Sequence, residues 1–288
     1  MIDLHTHSTV SDGSDPPARV VELAAQAGCS AIALTDHDSV AGQPEARRAA
    51  AAAGITLVPG CEVSCRKPTL PTGERAAGSV HVLVYFVEPG TGPLQDELHN
   101  LRRDRAKRNE ELGEVLARLG TGVTYEDAVA EAGGEAAGVG RPHFARALVR
   151  AGAAEDVDDA FERWLADGRP AYVPKARLDP RDVAGLAHGS GGVAVLAHPL
   201  STGFEPAVLE RFVGGLADAG FDGIEAVYGS YTPDERRWLA RLAERRGLVA
   251  TGGSDYHGTF KPDLRVGTGR GDLKVGDDVV HALRERRG

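Results

Sequence analysis

The chain is poor in cysteine, has no long apolar run and carries no excess of positive charge. Only three cysteines occur in 288 residues, Cys29, Cys61 and Cys65, without a CxxC pair. That argues against a disulfide framework or a structural zinc knot. Buried small hydrophobes are the simpler reading of the three, and reactive thiols the other. No apolar stretch approaches the roughly 20 residues needed to cross a bilayer, and MIDLHTHS has neither a basic flank nor an apolar core, so a cytoplasmic protein is expected. The formal charge of −9 disfavours a broad electrostatic surface for nucleic acid, since non-specific affinity comes mostly from Lys and Arg. It does not exclude a phosphate ligand, because bound divalent cations reverse the local sign.

What remains is ordinary globular composition, 42% hydrophobic and 26% charged. Short Val/Ile/Leu-rich runs alternate with helical segments through the first ninety residues and the last hundred. The predicted strands are IDLHTH, SAIALTDHD, ITLVPGCEVS, SVHVLVYFV, GVAVLAHP, GIEAVYG and LVATGGSDYHG. Such runs, bounded by turn signals, fit a mostly parallel sheet buried on both faces. Ser14-Asp15-Pro16-Pro17 offers a cap and first-turn prolines for a helix through ARVVELAAQAG. The rhythm breaks from about Gly92 to Asp182, where successive helical patterns follow one another. We expect an α/β fold with the barrel domain at 1–91 and 183–288 and a helical, substrate-capping insertion at 92–182. The glycine-rich GGEAAGVG junction points to a part of the insertion that moves as a lid.

His5-Thr6-His7 puts two imidazoles on one face of a strand, where they can converge on one ion. Alone, the pair fits packing as well as metal binding. The same kind of residue recurs, however, near one end of most predicted strands. Asp12 lies in the turn after His5 and His7; Asp36-His37-Asp38 ends the second strand; Glu62 lies near the end of the third. His81 starts the fourth strand, His198 ends VAVLAHP, and Asp255 and His257 end the last. Barrel enzymes build their sites at the carboxyl ends of strands, so these residues describe ligands around one mouth. Neutral imidazoles with carboxylates suit manganese, iron(II) or zinc rather than the all-oxygen cage of calcium.

HTHSTVSDGS, LTDHD, VPGCEVS, HVLVYFV, LAHP and GSDYHG, in that order, resemble the successive motifs of the PHP (polymerase and histidinol phosphatase) superfamily. The resemblance implies a distorted (β/α)7 barrel carrying an inserted helical subdomain. It implies three divalent ions, manganese favoured, with iron(II) or zinc as alternatives. His5, His7, Glu62 and Asp255 would hold the first ion; Glu62, His81 and His198 the second; Asp12, His37 and His257 the third. A hydroxide shared by two ions would attack phosphorus, with Glu62, Asp255 and His198 catalytic through the ions they hold. VGRPHFARALV and FERWLADGRPAYVP resemble the subgroup of nucleoside 3′,5′-bisphosphate phosphatases and a 5′-to-3′ exoribonuclease. The expected partner is therefore a small phosphorylated substrate, a nucleotide, with short RNA as the alternative, and no membrane or obligate protein partner is indicated. A histidinol-phosphate phosphatase and a non-catalytic metal-binding module are further alternatives.

Arg141 and His143 begin a helix after Gly138-Val139-Gly140, where backbone N–H groups favour an anion. They are candidates for a phosphate clamp and for a second contact or leaving-group acid; capping and packing are the alternative. Lys175 is a further substrate-contact candidate, or a solvated lysine. RRDRAKR, Arg102 to Arg108, is read either as a salt-bridged helix face or as an RNA patch, and in either case as a guide for a short acidic substrate. Asp36 and Asp38 either orient His37 or start the following turn. His99, His188 and His281 sit in helical patterns and count as structural or surface residues.

Overall fold

The computed structural model describes residues 1–134, 139–174 and 176–287. Two compact units are formed, Met1–Leu98 with Arg177–Gly288, and His99–Ala176.

The first unit holds seven strands: β1 (Ile2–Asp3), β2 (Ala31–Leu34), β3 (Thr56–Cys65), β4 (Val80–Tyr85), β5 (Val193–Leu196), β6 (Gly223–Tyr228) and β7 (Val249–Gly253). They lie in one sheet in sequence order. The first and last strands also meet: Leu4 N donates to Gly252 O (3.2 Å), Asp255 N to His5 O (2.8 Å), and Thr6 bridges Tyr256. The sheet is thereby a nearly closed barrel. Gly253 permits this approach, because a Cβ there would stand 2.4 Å from that of His5.

Pairing is parallel except around β4, which runs antiparallel to both β3 and β5. That reversal has a functional consequence. His81, near the start of β4, pairs with Ser64, near the end of β3. A residue at an amino end thus reaches the rim where the other strands finish.

Every residue of β2 and β5 is buried, as their unbroken apolar runs require. Alternation along β2 divides its side chains between two apolar clusters. Ala31 and Ala33 pack with Ile2, Leu4, Leu83, Tyr85 and Val195. Ile32 and Leu34 instead meet Val20, Val21 and Ala24 of α1 (Pro17–Gln26) and Ala46 and Ala50 of α2 (Gln43–Ala53). The wholly buried Tyr85 hydroxyl donates to Leu4 O (2.9 Å), so its polar tip is satisfied.

Ser14 and Asp15 do not cap α1, which starts on prolines without a side-chain cap. Asp15 instead accepts from the Tyr256 hydroxyl (2.6 Å), and Ser14 Oγ from Thr259 N (2.9 Å). They tie the turn after Asp12 to the segment around His257.

The helix α3 (Pro93–Arg118) leads into the second unit. There follow α4 (Tyr125–Glu131), α5 (Arg141–Arg150) and α6 (Val157–Ala160), the last continuing into a π-turn, Phe161–Leu165. Leu112, Leu116, Val123, Phe144, Leu148 and Leu165 form its core. Thr124 and Asp127 close a reciprocal capping box on α4. Back in the first unit, α7 (Pro180–Gly189) precedes β5, α8 (Pro206–Asp218) precedes β6, α9 (Pro233–Arg245) precedes β7, and α10 (Asp278–Glu285) follows it. Among the described residues, no helix is long and apolar enough to cross a membrane.

Candidate metal centre

Six histidines and three carboxylates converge where the barrel strands end. Groups of three or four of them, His7-Asp12-His37-His257, His5-His7-Asp255, His5-Glu62-His198 and His37-Glu62-His81, bring ligand atoms within 4.8 Å of one another. Together these are the nine residues singled out from the sequence. The β2–β3 pairing continues past Leu34 to place His37 beside Glu62: Glu62 N donates to Asp36 O (3.2 Å) and Asp38 N to Glu62 O (2.9 Å). Asp36 accepts from Ser8 N, Ser8 Oγ and Ser11 Oγ, each at 2.8 Å, and Asp38 from Ser64 N at 2.8 Å. Both aspartates therefore anchor the loops that carry the histidines.

Glu62 lies at the middle, almost wholly buried. Its Oε2 stands 3.3 Å from His5 Nε2, 3.2 Å from His7 Nε2 and 3.2 Å from His37 Nδ1. Its Oε1 faces the other way, 3.0 Å from His81 Nδ1 and 2.9 Å from His198 Nε2. One carboxylate is thus divided between two sets of imidazoles. Asp255 Oδ1 lies 3.4 Å from His5 Nε2, His7 Nε2 and His257 Nδ1. Asp12 lies 3.3 Å from His257, 3.5 Å from His7 and 3.6 Å from His37. His37 therefore belongs to both the Asp12 group and the Glu62 group.

The electrostatics follow from this crowding. Burial disfavours the charged carboxylate of Glu62, but His37, His81 and His5 outweigh that and hold it well below its usual range. Asp12 and Asp255 are held low in the same way, Asp12 by His37 and His257, Asp255 by Lys261, His257 and His5. Burial pushes His7 down, yet hydrogen bonds to Asp255 and Glu62 and the charges of Glu62 and Asp12 carry it up to about 9. Burial prevails at His37, which is lowered to about 3.

Several observations suit this set to divalent ions. His5 Nε2 and His7 Nε2 face each other at 3.1 Å, a pairing of basic nitrogens that a proton or cation must mediate. His37 Nδ1 is buried without a hydrogen-bond partner, although a Glu62 oxygen stands 3.2 Å away. The donors are nitrogen and oxygen only. Cys61, next to Glu62 in β3, is buried with its thiol pushed up by desolvation. Two of the nine residues hold unusual backbone, His198 at φ 25° and Asp255 at φ 56°, as is common where geometry serves function.

The partners that surround the nine leave little trace in the sequence. Glu225 accepts from His5 Nδ1–H (2.9 Å) and from His198 N (2.8 Å). The Tyr228 hydroxyl donates to Asp255 Oδ2 (2.6 Å), and the Lys261 ammonium pairs with the same oxygen. Ser201 Oγ lies 2.6 Å from His198 Nδ1. An acidic residue inside the apolar run GIEAVYG was the available signal for Glu225; GTFKPD offers none for Lys261.

Of the expected substrate contacts, Arg141 and His143 lie in the second unit. Arg141 Nη1 donates to Leu165 O (3.2 Å), with its guanidinium over the rings of Phe161 (5.9 Å) and Tyr172 (5.8 Å). His143 Nδ1 accepts from Gly140 N (3.0 Å), so the neutral ring carries its proton on Nε2. Lys175, Gly138 and much of the GGEAAGVG junction lie outside the described residues. His188 pairs with Asp222 (2.9 Å) and the exposed His281 with Glu285 (3.2 Å), apart from the cluster.

A family model described as the PHP domain matches residues 3–166. A 3′,5′-nucleoside bisphosphate phosphatase of Chromobacterium violaceum is 35% identical over 266 residues, covering 92% of this chain and 90% of the relative. A 5′-3′ exoribonuclease of Haemophilus influenzae is 34% identical over 255 residues, covering 88% and 89%. A crystal structure from Bifidobacterium adolescentis, described as a metal-dependent phosphoesterase, superimposes with a TM-score of 0.84 at 30% identity, covering 100% of this chain and 96% of that one. With the ordered motifs, the barrel and these relatives together, the chain belongs to the PHP domain family and is a hydrolase of phosphoester bonds.

Proposed function

We propose that this protein removes a phosphate from a small nucleotide, the 3′-phosphate of a nucleoside 3′,5′-bisphosphate, using three divalent ions, manganese favoured. The observation that carries the reading is the division of Glu62, with Oε2 toward His5, His7 and His37 and Oε1 toward His81 and His198. A carboxylate so placed would serve two neighbouring cations. His5, His7, Glu62 and Asp255 would hold the first ion, Glu62, His81 and His198 the second, and Asp12, His37 and His257 the third. Ions bound there supply Lewis acidity, which ionises water near neutral pH and offsets the charge on the phosphoryl oxygens.

The chain's own residues do the rest. The buried rings and carboxylates fix the ligand directions and keep bulk water from relaxing the site, so little reorganisation is needed during reaction. In this proposal Arg141 binds the non-bridging phosphate oxygens. His143 serves as a second contact or as the acid for the leaving oxygen. Lys175 is a further contact of the same kind. The bisphosphate is preferred as substrate because the Chromobacterium violaceum relative bears that activity in its name over nearly the same length.

A second reading, 5′-to-3′ cleavage of short RNA, draws on the Haemophilus influenzae relative and on Arg102, Arg103 and Lys107, all exposed on α3. Assays with manganese on adenosine 3′,5′-bisphosphate and on a 5′-phosphorylated oligoribonucleotide separate the two. Release of phosphate from the bisphosphate with an intact oligonucleotide is expected. Mononucleotide release from the oligonucleotide, with no turnover of the bisphosphate, would replace the first reading by the second.

A further inference from the structure

Strand β6 contributes none of the nine converging groups, yet its Glu225 is wholly buried among them. A carboxylate between Ile224 and Ala226 costs desolvation that an apolar residue would avoid, so core stability does not explain it. We propose that β6 is a positioning strand, whose Glu225 and Tyr228 orient His5, His198 and Asp255 so that their ligand atoms meet. This rests on the metal-centre reading above.

Both Glu225 oxygens are committed. Oε1 accepts from His5 Nδ1–H, which turns His5 Nε2 toward His7, Glu62 and Asp255. Oε2 accepts from the backbone N–H of His198, the residue held at φ 25°, and so secures the bend that swings the His198 ring to Glu62. Tyr228 does the corresponding work on the other side. Its hydroxyl engages Asp255 Oδ2 and leaves Oδ1 facing His5 and His7.

The strand's own irregularity makes this double service feasible. Residues three apart on a regular strand point to opposite faces. In β6, however, Glu225 pairs with Thr251 and Tyr228 with Gly253, with a register shift between Glu225 and Val227. Thr251 and Gly253 are two apart and share a face, so their partners share one too. The extra residue is a β-bulge that re-aims Tyr228 to the side Glu225 already occupies, a recurrent use of bulges beside active sites.

The test titrates manganese into the full chain, stripped by chelator, for wild type, Glu225→Gln and Tyr228→Phe. It records ions bound per chain, their affinities, kcat and KM, and the thermal midpoint with and without manganese. Glutamine keeps the shape but offers one acceptor oxygen where two are needed, so affinity should fall about 10–100-fold, the usual effect of losing a ligand's supporting partner. Tyr228→Phe should weaken it about tenfold. In both, the manganese-induced rise in midpoint shrinks while the metal-free midpoint holds, and excess manganese restores part of kcat. A merely structural role would instead lower the metal-free midpoint and leave affinity alone. Affinities within twofold of wild type in both variants overturn the proposal; Tyr228→Phe, which removes one hydroxyl, decides it alone should Glu225→Gln not fold. A wild-type chain that takes up no manganese overturns the metal-centre reading as well, and that result is separable because it appears before any substitution.

Discussion

The helical unit and the barrel mouth stand in opposite relation to burial. In the helical unit, Phe144, Leu112, Leu116 and Leu148 bury apolar surface, and Thr124, Asp127 and Asp156 close helix ends. Burial favours every one of those core residues. At the barrel mouth, burial works against almost every side chain, since it raises the cost of charged Glu62, Asp12 and Asp255 and of protonated His5 and His7. The mouth persists because the barrel beneath it is tightly packed and because the groups compensate one another. Stability is concentrated where chemistry is absent, and the chemistry stands where the fold gains least.

Substitutions can break that division. The largest effect is expected at Glu62→Gln, which removes the shared charge while keeping the shape. Turnover should drop about 10³-fold, equivalent to about 4 kcal/mol, with far-UV circular dichroism unchanged. Phe144→Ala should do the reverse, costing about 3 kcal/mol in denaturant unfolding while the number of ions bound stays at the wild-type value. Loss of bound ions in the Phe144 variant would show that the two units are not independent in this sense.

Proton linkage sharpens the contrast further. The folded value of His7, about 9, lies above its ordinary 6.5. Its contribution to stability is therefore full below pH 6.5 and is lost as pH rises through about 9. His37, lowered to about 3, acts oppositely and costs stability as pH falls below 6.5. The depressed carboxylates contribute above their unfolded range near 4 and lose that contribution on further acidification. Calorimetry of metal-free protein should thus show the midpoint falling between pH 7 and 9.5. Ion binding requires neutral imidazoles, so manganese affinity should climb over the same window, with protons released on binding at pH 7. Identical binding heats in buffers of different ionisation enthalpy would exclude that release. The smallest effect is expected at Thr124→Ala, which opens the α4 capping box at a cost of about 1 kcal/mol without altering the pH profile.

The nine converging residues were legible because they are chemically unusual for their setting. His, Asp and Glu at the ends of apolar strands stand out against runs such as VAVL and AIAL, and their order along the chain carries the resemblance. The barrel was legible for the same reason, its strands being bounded apolar runs. The reversed direction of β4 was not, since a strand buried on both faces reads alike in either direction; His81 at its start was the trace it left. The β6 bulge, which sends Tyr228 to Asp255, depends on pairing with β7 and leaves no local pattern. Lys261 reaches Asp255 from an irregular segment, where no periodicity constrains direction.

In the proposed centre Glu62 is held in common by more than one cation. Elemental analysis of manganese in protein stripped, reloaded and dialysed, compared between wild type and Glu62→Gln, tests it most directly. Three ions per chain in the wild type and one or none in Glu62→Gln are expected. An equal ion content in the two proteins, or no more than one ion in the wild type, would contradict it.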